Sequence, residues 1–119
     1  MTNTAAEMIE AASLWWKAAT THDGAAPFSD PGASTRLYNA MRSALWSEYR
    51  SGKSLTMLIV DYEPLRPLDT LARLSGVHPA DFPRKTIMDI RWREGEVVVS
   101  VGLREPFIQI FPSRHKHAS

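Results

Sequence analysis

Leu55-Thr56-Met57-Leu58-Ile59-Val60-Asp61-Tyr62 decides how this chain is read. Apolar side chains occupy both alternating sets of positions, and Thr56 alone breaks the run between Leu55 and Val60. A segment this short cannot span a bilayer; it reads as a central strand covered on both sides. Ile59 is then expected at full burial, touched from one side by Ile9 or Trp16 of a preceding helix.

Downstream, Pro64 and Pro67 stop the strand. Pro67 suits the first turn of a short helix over 67–75, because that turn needs no amide donor there. Leu68, Leu71 and Leu74 form its expected buried side, and Gly76 its stop. Residues 77–85, with Pro79 and Pro83, read as irregular. Met88, Ile90 and Trp92 then alternate with Asp89, Arg91 and Arg93, the pattern of a half-buried strand. Glu94-Gly95 reads as a two-residue hairpin turn. Val97, Val99, Val101 and Leu103 share one face of the next strand. Arg104-Glu105-Pro106 turns the chain into a last strand over 107–111. Connections this short exclude parallel crossovers, so these three strands form an antiparallel meander joined by strand 55–62.

Upstream, Thr4 and Glu7 have capping-box spacing. Ala5, Met8, Ile9, Ala12, Trp15, Trp16 and Ala19 recur at the helical period, with a stop expected near His22 and Asp23-Gly24. Residues 24–34 read as a loop, with Phe28 plugging it onto the core. Ser34 reads as the N-cap of a second helix to about Ser51, with Leu37, Tyr38, Met41, Leu45 and Tyr49 as its stripe. The expected fold is α+β, in the order ααβαβββ: a four-stranded, largely antiparallel sheet with helices packed on one face. Residues 1–112 form the single expected domain, and 113–119 a flexible basic tail.

The chain has 119 residues, 44% of them hydrophobic and 23% charged, which suits an ordinary globular domain. It has no cysteine, which excludes disulfides, thiol catalysis and cysteine-based zinc sites. The N-terminal stretch carries acids where a secretory signal carries bases, so a cytoplasmic protein is expected. Abundant alanine and a preference for arginine over lysine point to a bacterial or phage source. Net charge is +1, so no global field steers a polyanion. Basic residues nevertheless cluster in 36–53 and 84–93.

Known chemical motifs fail on inspection. Gly52-Lys53-Ser54 resembles the end of a phosphate loop, but Ser47 stands where the first glycine belongs, and helix precedes strand. Leu71 to Val77 resembles the start of a helix-turn-helix, but Pro83 would break its second helix. Pro64-Leu65-Arg66-Pro67 has proline-ligand spacing, yet it links a strand to a helix. His115 and His117 lack a third ligand nearby in sequence. No catalytic residue, metal or cofactor is assigned. Asp61 could act as a strand-end carboxylate, but an ordinary ion pair with Arg66 or Arg91 explains it as well.

Tryptophan carries the strongest functional signal. Four tryptophans is many for this length. Trp15 and Trp16 diverge by about 100° around a helix, so both cannot face one narrow contact. The first reading is therefore a non-enzymatic interaction or assembly protein, of the kind that includes inhibitors and immunity-type accessory proteins. Trp15, Trp16, Trp46 and Arg42 are its candidate interface, and another protein or a second copy its partner, with no membrane involved. A second reading is nucleic-acid binding by segments 36–53 and 84–93, through Arg84, Lys85, Arg91 and Arg93. A third is a ligand pocket or enzyme site between helices and sheet, near Asp61, Tyr62 and Trp92. Arg91→Ala is expected to leave stability nearly unchanged.

Overall fold

Alternation along the strands sets the architecture. In a computed structural model describing residues 4–21 and 28–113, the elements run α1 (Thr4–Ala19), α2 (Ala33–Arg50), β1 (Leu55–Asp61), β2 (Glu63–Pro64), α3 (Leu68–Ser75), a short 3-10 turn (Pro79–Asp81), β3 (Lys85–Arg91), β4 (Glu96–Val101) and β5 (Ile108–Phe111). The sheet is antiparallel throughout, in the order β2-β1-β3-β4-β5. This is the expected α+β order, widened by the two-residue strand β2. The three helices cover one face. The core joins Met8, Ile9, Ala12 and Trp16 of α1 to Leu37, Met41 and Leu45 of α2 and to Leu68 and Leu71 of α3. Sheet residues Leu58, Val60, Met88, Ile90, Val97 and Val99 close it from below. No described helix is long and apolar enough to cross a membrane.

β1 corrects the central expectation. Its burial alternates: Thr56, Leu58 and Val60 are buried, whereas Leu55 and Met57 are exposed and Ile59 is half-buried. Ile59 is therefore not a core residue and faces away from Ile9 and Trp16. Three helices are enough to cover one side of this sheet, and no other described element covers the opposite side of β1.

Local chemistry moves several boundaries. α2 begins two residues early, with Gly32 at its N-cap. Asp30 accepts from the Gly32 amide at 2.9 Å and starts the helix there. Ser34 lies inside α2, buried, donating to the Thr20 carbonyl at 3.1 Å and accepting from Thr20 Oγ1 at 3.2 Å. It ties α2 to the end of α1 instead of capping. Pro67 takes the N-cap position of α3. The loop between β3 and β4 has four residues, Trp92 to Gly95, because Trp92 leaves the ladder and turns into the core. Tyr49, Leu74 and Phe28, all expected inside, are exposed. Leu103 and Phe107 lie in the β4–β5 connection rather than in strands. The stop at His22 to Gly24 and the tail beyond Ser113 lie outside the described residues.

Candidate functional site

Cross-strand pairing dictates what the uncovered sheet face carries. Directly opposed residues of an antiparallel pair share a face. Leu55 pairs with Arg91, Met57 with Asp89, Ile59 with Ile87 and Asp61 with Lys85. On the other side of β3, Ile87 pairs with Ser100 and Arg91 with Glu96. The outer face is thus an apolar centre between two charged ends. Arg91 bonds Glu96 at 2.9 Å and approaches Asp89 at 3.6 Å. Lys85 bonds Asp61 at 2.5 Å and lies 4.6 Å from the Tyr62 ring centroid. The Asp61 carboxylate holds the Lys85 ammonium above the ordinary lysine range, and Glu96 does the same for Arg91. Asp61 therefore has the ion pair expected of it, but with Lys85 rather than Arg66 or Arg91.

Two walls rise from this face and make it concave. The first runs from Tyr62 to Leu65. The Tyr62 amide donates to the Arg84 carbonyl at 2.6 Å, and the Leu65 amide to the Ile59 carbonyl at 2.9 Å. The second runs from Gly102 to Phe107. The Gly102 amide donates to the Lys85 carbonyl at 2.8 Å, and the Ser100 hydroxyl to the Glu105 carbonyl at 2.6 Å. Gly102 has φ +109°, and a β-carbon there would come within 2.8 Å of Glu105 Cγ, so this wall closes over a glycine. Between the walls lies a trough of about 370 Å³ floored by Ile59 and Ile87, with Leu65, Leu103 and Phe107 on its sides.

The backbone at both walls is costly to hold. Among the described residues, Tyr62 (φ 66°) and Arg104 (φ 62°) are the non-glycine residues with positive φ. Tyr62 directly follows β1 and starts the first wall, and Arg104 lies inside the second, two residues after Gly102. Such conformations persist where the surrounding structure over-determines them, and they concentrate at binding sites. A second cavity, of about 320 Å³ beside α3, has a more polar lining that includes Glu63, Asp69 and Arg73.

The expected interface residues do not form one patch. Trp16 is 0% exposed and packs on Phe82 at 5.9 Å between ring centroids, so it is a core residue and cannot meet a partner. Trp15 is half-buried, edge-on to Trp16 at 4.9 Å. Trp46 packs partly against the core, with the Arg50 guanidinium 5.7 Å from its ring. Arg42 is exposed on α2, 3.6 Å from Glu10 and 5.5 Å from the Tyr38 ring. The proposed nucleic-acid residues are also divided. Lys85 and Arg91 are already paired with carboxylates, while Arg84 and Arg93 are exposed.

The helix–sheet interface is filled by the core and does not hold the pocket expected there; the trough lies on the opposite face of the sheet. Asp61 lines the trough, Tyr62 starts its wall, and Trp92 is buried on the helix side. Ser100, the one hydroxyl in the trough besides Thr86, is bonded to the Glu105 carbonyl. No group of three or more metal-ligating side chains occurs among the described residues. The arrangement is equipped to receive apolar side chains between balanced charges. Sequence pattern gives Ile87, Leu103 and Phe107 only strand positions and Leu65 a connecting segment, with no role at a site. The signal that could have found them is the apolar outer set Met57 and Ile59, which three helices cannot also cover.

The fold and site define a two-layer α+β protein with one open sheet face. Comparison of the chain with protein-family models, curated proteins and solved structures finds no match.

Proposed function

We propose that this chain is a small non-enzymatic interaction protein that docks a partner protein on the uncovered face of its sheet. One observation carries the reading: an apolar trough set between two hydrogen-bonded walls, on a face that the chain's own helices leave open. Exposed apolar groups collected in one concavity mark a contact surface more than the same groups scattered. Leu55, Met57, Leu65, Leu103 and Phe107 extend that surface beyond the floor. The charged ends, Asp61 with Lys85 and Arg91 with Glu96, form the polar rim that suits an interface.

The test is photocrosslinking in the native host. The full chain carries p-benzoylphenylalanine in place of Ile87 or, as a control, in place of Ser43 on the exposed side of α2. Position 87 is expected to give a discrete protein adduct and position 43 none. No adduct at position 87 would rule out a partner at this face.

A further inference from the structure

We infer that the partner on this face is a second copy of the same chain, docked about a two-fold axis so that Leu103 of each copy enters the trough of the other. The inference rests on the interaction reading above and names its occupant.

Shape supports it first. A two-fold interface uses one patch twice, so that patch must hold both a projection and a matching hollow, displaced from the axis. The outer face has both. Leu103 stands on the Gly102–Phe107 wall, 70% exposed, beside the hollow floored by Ile59 and Ile87. The hollow of about 370 Å³ is many times the roughly 30 Å³ of a water molecule, so it accepts a large aliphatic side chain.

Charge supports it second. The trough is bordered by Asp61 and Lys85 at one end and by Arg104 and Glu105 on the projecting wall. The four charges balance. A face built for a partner of one sign would carry the opposite sign, whereas a face that meets itself must carry both.

Size sets the affinity. Strands of 7, 2, 7, 6 and 4 residues, at roughly 3.4 Å per residue and about 4.8 Å apart, give a footprint of roughly 400 Å². That is about half of the roughly 800 Å² per partner of a standard stable interface, so a weak, transient dimer is expected.

Sedimentation equilibrium of the full chain from about 5 to about 500 µM tests this, with Leu103→Asp and Ile87→Lys as variants. Leu103 is largely exposed and Ile87 is 37% exposed, so both variants should keep the fold, checked by circular dichroism. The wild type is expected to dimerise. Each variant alone should weaken dimerisation at least about tenfold. An equimolar mixture should regain it, because one of its two contacts is unaltered and the other places Asp against Lys. A wild type that stays monomeric, variants that dimerise like the wild type, or a mixture no tighter than either variant would overturn the second copy. A monomeric wild type whose position-87 crosslink captures a different protein overturns this inference and leaves the interaction reading intact. Absence of any crosslink removes both.

Discussion

The indole N–H of Trp92 donates to Thr56 Oγ1 at 2.9 Å, both side chains being buried. Thr56 in turn donates to Glu48 Oε1 at 3.0 Å, and Lys53 holds that carboxylate at 3.0 Å. The loop after β3 is thus tied through β1 to α2. Thr56→Val keeps the shape and removes the acceptor, leaving a buried indole N–H without a partner. A loss of about 1–3 kcal/mol is expected, against much less for Thr56→Ser. Urea melts of the two variants check it; equal losses would mean the hydroxyl is not what holds Trp92.

Leu58 and Ile59 are neighbours in β1 with opposite environments. Leu58 is 0% exposed beneath the helices, and Ile59 is half-buried on the outer face. Leu58→Ala should cost about 2–5 kcal/mol through lost transfer energy and a cavity. Ile59→Ala should cost about 1 kcal/mol, since its site opens to solvent. Denaturant midpoints of the two variants report which face of β1 is the core; a larger loss at Ile59 would reverse the assignment.

Gly76 ends α3 in the left-handed region, φ +82°, where its amide donates to the Ala72 carbonyl at 2.9 Å. A β-carbon there would lie 3.2 Å from Nη2 of Arg36, whose Nε donates to the Ser75 carbonyl at 2.9 Å. Gly76→Ala therefore meets backbone strain and a crowded guanidinium together. A loss of about 1–2 kcal/mol is expected. Gly52→Ala, at φ +85° but in open space, is the comparison: its loss in a thermal melt should be the smaller.

The Arg36 guanidinium beside Asp30, helped by the Gly32 amide, holds the Asp30 carboxyl below the usual carboxylate range. The folded chain then binds this proton less readily than the unfolded chain. The stabilisation is fully present above the ordinary carboxylate range and is lost as pH falls through the folded-state value. Asp30→Asn should be less stable than the wild type at about pH 6, and the gap should close toward about pH 3. Paired melts across that range measure it. A gap that widens on acidification would exclude this ion pair as its source.

Much of the fold was legible in the residues. The 3.6-residue recurrence of Met8, Ile9, Ala12 and Trp16 and the alternation of Met88 and Ile90 are local signals, and each segment obeys its own. The candidate site was not legible. In β1 both alternating sets are apolar, so period two cannot say whether Leu58 or Ile59 is inside. Trp16 and Trp15 pose the same ambiguity on α1, where the wide apolar stripe contains both. The walls were hidden because Tyr62 and Arg104 carry no residue-type sign of positive φ, unlike glycine.

By itself, the sequence determined the order of elements and the antiparallel meander, because turn chemistry and chain reach act within a few residues. Tertiary structure alone decided that the helices take the Leu58 face of the sheet and leave the Ile59 and Ile87 face open. That choice depends on how three helices share one layer while Trp16 and Leu58 fill the space between. It is a competition over the whole core, and no short window of residues encodes it.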